Sequence, residues 1–174
     1  MDRILSFLPS AEKGYLPYYL LVVSVVAVAN ALQNLATLHY TRRTYNGRFV
    51  RNQSLPKATT SSNPDDSVAK LVPATPGSKD ADKAQDQVSP LAARLFGTYT
   101  FMAGVIRFYA CYDLANPSLY QLAIWTHLIA AGHFTSEMLV FKTIRFTGPQ
   151  AFPFAAAYGG SLWMIMQYGH YVAN

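Results

Sequence analysis

Charge is scarce in this chain. Asp, Glu, Lys and Arg make up only 13% of its 174 residues, while 51% are hydrophobic. That is about half the charged share of ordinary soluble domains, and it points to a membrane before any motif is read. Cysteine is scarcer still: Cys111 stands alone, which excludes an intramolecular disulfide and any multi-cysteine metal centre and leaves the redox compartment unmarked. The four histidines, His39, His127, His133 and His170, are too few and too widely spaced for the ligand sets of zinc or di-iron enzymes, so no metal site is expected. G-x-G-x-x-G, G-x-x-x-x-G-K-[ST], H-E-x-x-H and a serine nucleophile elbow are all missing, and with them the fingerprints of nucleotide, phosphate, zinc-protease and hydrolase sites. No cofactor is expected. A formal charge of +5 suits an anionic membrane surface, and no nucleic-acid-binding motif accompanies it, so no nucleic acid partner is expected either.

What is present is apolar length. A helix needs about 20 mostly apolar residues to cross a bilayer, and four stretches reach that length: about 17–38, 93–112, 118–141 and 151–172. Pro17 and Pro153 suit first helical turns, and Gly159 and Gly160 would allow close helix approach. "DLANP" alone separates the second and third stretches, which predicts a tight antiparallel hairpin. The polar segment 52–90 has five prolines and no aromatic residue; it cannot bury enough apolar area to offset its ordering entropy and is predicted to be a disordered loop. The fold expected is all-α, a polytopic membrane protein with four transmembrane helices.

Basic residues set the orientation. The connection from Arg42 to Arg94 carries nine Lys or Arg against five Asp, and the connection after the third helix adds Lys142 and Arg145. The hairpin turn holds Asp113 and no base, and the N-terminal tail balances Arg3 and Lys13 against Asp2 and Glu12. Both basic connections should therefore be cytosolic and both termini across the membrane. Tyrosines 15, 18, 19, 109, 112, 120, 168 and 171 cluster at the opposite interface, as an aromatic belt would. A competing pattern is "AVANA" at 27–31, which has the small residues of a signal-peptidase site; the neutral tail before it and the apolar run beyond it argue against cleavage.

Ionisable residues within spans are functional candidates by default, each costing about 2.5–3.5 kcal/mol at a helix centre. Here they are Arg107, His127, His133 and Glu137. His133 and Glu137 share one helical face and could act as general acid and base, or could hydrogen-bond a neighbouring helix. An antiparallel hairpin register places Glu137 level with Arg94, its expected partner, and Arg107 near Trp125, where it would snorkel towards Asp113 or lie on the indole ring. Asn30, Gln33, Asn34, Thr37 and Thr41 form an uncharged stripe suited to helix mating within the bundle or between chains, and a homo-oligomer stays open.

The runs "SVVAVANALQNLATLHYTRRTYNG", "PLAARLFGTYTFMAGVIRFYACYD" and "LYQLAIWTHLIAAGHFTSEMLVFKT" closely resemble the ergosterol biosynthetic protein 28 family. The resemblance covers about residues 18–50 and 90–172. Its most specific positions are Arg94, Phe96, Gly97, Thr98, Arg107 and Tyr112, then Trp125, Thr126, Gly132, His133, Phe134 and Glu137. It implies a non-enzymatic, multi-pass protein of the endoplasmic reticulum membrane. Such a scaffold tethers the sterol C-4 demethylation enzymes: the C-4 methyl oxidase, the decarboxylating C-3 dehydrogenase and the 3-keto reductase, with sterol C-24 methyltransferase a further partner. Tethering raises the effective concentration of enzymes that share a poorly soluble intermediate. On that reading Arg94, Arg107, Trp125, His133, Glu137, Asn30 and Asn34 serve structure or partner contact, and none is catalytic. The alternative is a small membrane enzyme, such as a sterol isomerase, that uses His133 and Glu137; a proton-coupled carrier is disfavoured by the lack of an inverted repeat.

Overall fold

The computed structural model of the chain describes residues 7–172; Asp2 and Arg3, which enter the charge balance above, lie outside the described residues. It is mainly helical. Four long helices, α1 (Leu16–Ala36), α3 (Pro90–Tyr112), α4 (Pro117–Leu139) and α5 (Ala151–Val172), are joined by a short α2 (His39–Thr44) and a polar segment. Local chemistry explains the starts. Ser89 Oγ accepts from the amide of Ala92 at 3.1 Å, Asn116 Oδ1 accepts from those of Ser118 and Leu119, and Pro90 and Pro117 follow as first helical residues, satisfying donors that a helix start otherwise orphans. With 21 to 23 residues each, the four helices are about 30 Å long. One of them, α1, is long and apolar enough to cross a membrane by length and composition. The others fall short of that measure because Arg107, the α4 histidines and Glu137, and many Gly, Ser, Thr and Gln residues dilute them.

Helix α1 packs along α3, α4 packs along α5, and α3 meets α4 across the hairpin. The α1–α3 seam is built from small residues: Ser24, Ala27, Ala31 and Asn34 are buried against Gly97 and Gly104. A Cβ on Gly104 would sit 3.2 Å from both the Ala27 Cβ and the Ser24 carbonyl oxygen, and Ser24 Oγ donates to the Gly104 carbonyl at 2.7 Å. Of the small residues that resemble a cleavage site, Ala27 and Ala31 are thus helix-packing residues, and Ala29 is exposed. At the hairpin end a core forms around Leu16, Leu20, Cys111, Tyr120, Met164 and Tyr171. The expected tyrosine belt is divided there: Tyr15, Tyr109 and Tyr112 face outward, whereas Tyr120 and Tyr171 are buried and Tyr120 donates to the Met164 carbonyl at 2.8 Å. Buried, they contribute packing area rather than an interfacial anchor.

Segment 52–90, predicted disordered from its composition, has hydrogen-bonded backbone in the structure. Strand β1 (Phe49–Arg51) pairs antiparallel with β2 (Leu71–Pro73), Val50 opposite Val72, and Phe49 exchanges backbone bonds with Gln85. The segment is anchored to the bundle through its leading residues. The Gly47 amide donates to the Thr143 carbonyl at 2.7 Å, Asn46 bonds to Arg145 and Thr147, and buried Gln150 donates to the carbonyls of Arg43 and Thr44. Both basic connections therefore lie together at one end of the bundle.

Candidate functional site

Polar side chains inside the bundle gather in two places. The first is midway along α4. Thr126 Oγ1 accepts from Arg107 Nε at 2.9 Å, and the Thr126 carbonyl accepts from Nη2 at 3.2 Å. This corrects the expected snorkelling: the Arg107 guanidinium turns inward onto α4, and Trp125 faces out, 59% exposed. The neighbouring His127 is buried, and its Nδ1 donates to the Ala123 carbonyl at 2.8 Å. In the neutral ring Nε2 is then an acceptor, so the Tyr19 hydroxyl has one proton to share between Nε2 at 3.1 Å and the Ala156 carbonyl at 2.9 Å. Gly160 makes the approach possible, because a Cβ there would fall on the Tyr19 hydroxyl and the His127 ring. Its neighbour Gly159 faces open space.

The α1 stripe is used within the chain. Asn30 donates to Thr100 on α3 at 3.3 Å, Gln33 donates to Asn30, and Thr41 donates to Asn34. Thr37 is exposed. Gln33 Oε1, Asn34 Nδ2 and the Tyr99 hydroxyl are buried and find no partner among the described residues.

The second place is where α3 begins and α4 ends. His133 Nε2 is hydrogen-bonded to the Tyr45 hydroxyl at 2.6 Å, and Phe96 stacks on the imidazole at 6.1 Å between centroids. Glu137, one turn further on, accepts at 2.5 Å from Thr143 Oγ1, and the Glu137 carbonyl accepts the Thr143 amide. Lys142, at φ +58°, makes the left-handed turn that brings Thr143 back. Burial, and next the Glu137 carboxylate, push the Tyr45 hydroxyl above its usual value, so Tyr45 keeps its proton well into alkaline solution.

The expected Arg94–Glu137 pair does not form. Arg94 faces outward, and among the described residues no cation lies within salt-bridge distance of Glu137. The two are level along the hairpin but on different sides of it, since α3 turns its small-residue face, with Ala93 and Gly97 buried, towards α1.

Tyr45, His133, Glu137 and Thr143 line one wall of a cavity of about 510 Å³, whose other walls include Phe96 and Leu95. A second cavity of about 330 Å³ lies deeper, reaching Asn30 and Arg107, and Phe96 and Tyr99 line both. Sequence reasoning marked His133 and Glu137 but missed Tyr45 and Thr143, which come from connections. Among the described residues no three His, Cys, Asp or Glu side chains gather as metal ligands would. The arrangement can hydrogen-bond one polar group at the end of an apolar molecule.

The family described as "Erg28 like protein" matches residues 16–162. A protein of Gibberella zeae named ergosterol biosynthetic protein 28 is 48% identical over 172 residues, 99% of this chain and 98% of that protein. Proteins of the same name from Candida albicans and Saccharomyces cerevisiae are 32% and 30% identical, covering 96% and 94% of this chain and 95% and 87% of their own lengths. None of these names designates an enzyme. No solved structure matches. With a family match running from α1 into α5 and near-complete coverage by relatives at these identities, the chain belongs to the ergosterol biosynthetic protein 28 family.

Proposed function

We propose that this protein is a non-catalytic scaffold with four transmembrane helices, seated in the endoplasmic reticulum membrane, that tethers the enzymes of sterol C-4 demethylation to one another. The observation that carries the reading is the outer surface. Val22, Val25 and Leu35 on α1, Phe101, Met102 and Phe108 on α3, Leu122 and Trp125 on α4, and Leu162, Ile165 and Met166 on α5 are all exposed. An apolar surface on every long helix is what lipid or partner helices would cover. Arg107 and His127 are engaged in helix-to-helix bonds, and His133 and Glu137 in bonds to the connections. Partners are the C-4 methyl oxidase, the C-3 dehydrogenase and the 3-keto reductase, with sterol C-24 methyltransferase as a further one, and the basic end of the bundle faces the cytosol.

The test is affinity purification of the tagged protein in mild detergent, with sterol intermediates quantified in the same cells. Loss of the protein should accumulate C-4 methylated sterols, and the wild type should bring down those enzymes. Wild-type protein that captures none of them sinks the proposal. One observation favours a second reading, a membrane isomerase: His133 and Glu137 line one cavity. Under that reading His133→Ala keeps every partner and accumulates a single unisomerised sterol.

A further inference from the structure

The 510 Å³ cavity has a direction. Ala92 to Tyr99 on α3 and Ile129 to Glu137 on the antiparallel α4 run alongside it, about 10–12 Å of helix. Its polar end, where Tyr45, His133, Glu137 and Thr143 converge, lies at the helix ends beside the basic connections; its other end, towards the middle of the bundle, is mainly apolar, with Leu95 and Ile129 exposed at the rim and the Tyr99 hydroxyl its one polar group. Its volume is within the range of about 300–1,000 Å³ of small-molecule sites. Such a shape accepts a flat, apolar molecule with one polar atom at its end, entering sideways from lipid.

The chemistry of the wall narrows the polar atom. Glu137 Oε2 takes the Thr143 hydroxyl, while Oε1 has no protein partner among the described residues. A carboxylate oxygen only accepts, so at half-buried Glu137 an alcohol, which donates, fits best, a ketone offers that oxygen no hydrogen, and a carboxylate is repelled. We propose that this cavity binds a sterol alcohol, hydroxyl on Glu137 beside the Tyr45–His133 pair and rings between Phe96, Leu95 and Ile129. The sterol class rests on the scaffold reading above; the preference for an alcohol rests on the geometry alone. In a membrane the polar end is level with the interface, where a sterol hydroxyl already resides, so the occupant enters without inverting.

The full chain is reconstituted in phosphatidylcholine nanodiscs with a photoreactive 3-hydroxysterol, and the crosslinked peptides are mapped. Label should concentrate on 92–99 and 129–137 and be displaced by unlabelled 3-hydroxysterol about tenfold better than by its 3-keto analogue, the size of one hydrogen bond to a carboxylate. Glu137→Gln, whose amide both donates and accepts, should shrink that preference several-fold. Ala92→Phe, filling the cavity from an exposed position, should abolish the focused label; Leu95→Trp serves if that variant fails to fold. Label spread over all outer helix faces, or focused label indifferent to alcohol against ketone, overturns the proposal. Enzyme co-purification is scored on the same variants. Focused label without captured enzymes sinks the scaffold and leaves the site standing, whereas captured enzymes with diffuse label do the reverse.

Discussion

Gly160→Ala is a one-carbon test of how the bundle closes. The added Cβ would clash severely with the Tyr19 hydroxyl and lie 2.6 Å from Cδ2 and 2.9 Å from Nε2 of His127. Overpacking of this kind costs about 1–3 kcal/mol. Displacing Tyr19 also gives up its bond to the Ala156 carbonyl, worth about 0.6 kcal/mol on the average of membrane proteins. The expected loss is therefore about 1.5–3.5 kcal/mol. Tyr19→Phe alone removes only the hydroxyl's bonds, about 0.6 kcal/mol, yet it also removes the nearest clash. The double variant should be more stable than the sum of the singles predicts by about 1 kcal/mol, the coupling expected of residues in contact. The assay is unfolding by sodium dodecyl sulfate from mild detergent micelles, followed by Trp163 fluorescence, since that ring lies 5.3 Å from Tyr19. Exposed Trp125 is replaced by Phe in every protein to silence its signal. A Gly160→Ala protein as stable as its parent, or strict additivity with Tyr19→Phe, refutes the account of α5 docking.

Three further perturbations probe other contacts. Gly104→Leu forces α1 off α3 and should destabilise by at least about 2 kcal/mol through overpacking and loss of the Ser24 bond; an unchanged unfolding midpoint would remove the seam from the argument. Gly47→Ala would drive a Cβ into the Lys142 carbonyl and to 2.9 Å from Thr143 Cα, so amide exchange should accelerate at 46–51 and 143–147 while the helix interiors keep their protection; equal exchange in both proteins refutes the clamp. For Tyr45 the folded-state value lies above the unfolded value near 10. Its contribution to stability is thus fully present below about pH 10 and lost as pH rises beyond it. Wild type should lose more stability than Tyr45→Phe between about pH 8 and pH 11, and parallel losses would contradict the buried position of that hydroxyl.

The long helices were legible because each is a run of about 20 residues, apolar in α1 and mostly apolar in the others, bounded by a proline, a capping Ser or Asn, or a charged pair. Spacing also placed Arg107 beside the right turn of α4, since equal rise in an antiparallel hairpin holds whatever the side chains do. It failed at Arg94 and Glu137 because level position says nothing about azimuth, and azimuth depended on α3 preferring α1. The candidate site was half visible. His133 and Glu137 are conspicuous as ionisable groups in an apolar run, but Tyr45 lies 88 residues from His133 in sequence, and the anchors through Asn46, Gly47 and Gln150 bring it back. Composition read 52–90 as disordered; a ladder made of backbone amides, which every residue but proline carries, leaves little trace in composition.

The distance between α1 and α3 along the chain bears on biogenesis. Asn30 finds Thr100 on α3 only after 70 more residues have been made, about 3.5–14 s at ordinary elongation rates. Throughout that interval the first helix lacks its α3 partner and has only the local bonds of Gln33 to Asn30 and Thr41 to Asn34. A ribosome pausing within the polar segment lengthens the exposure, and an insertase or chaperone able to hold a polar-striped helix shortens its consequences. On the scaffold proposal, a chain that later gathers partners would begin its life in need of one.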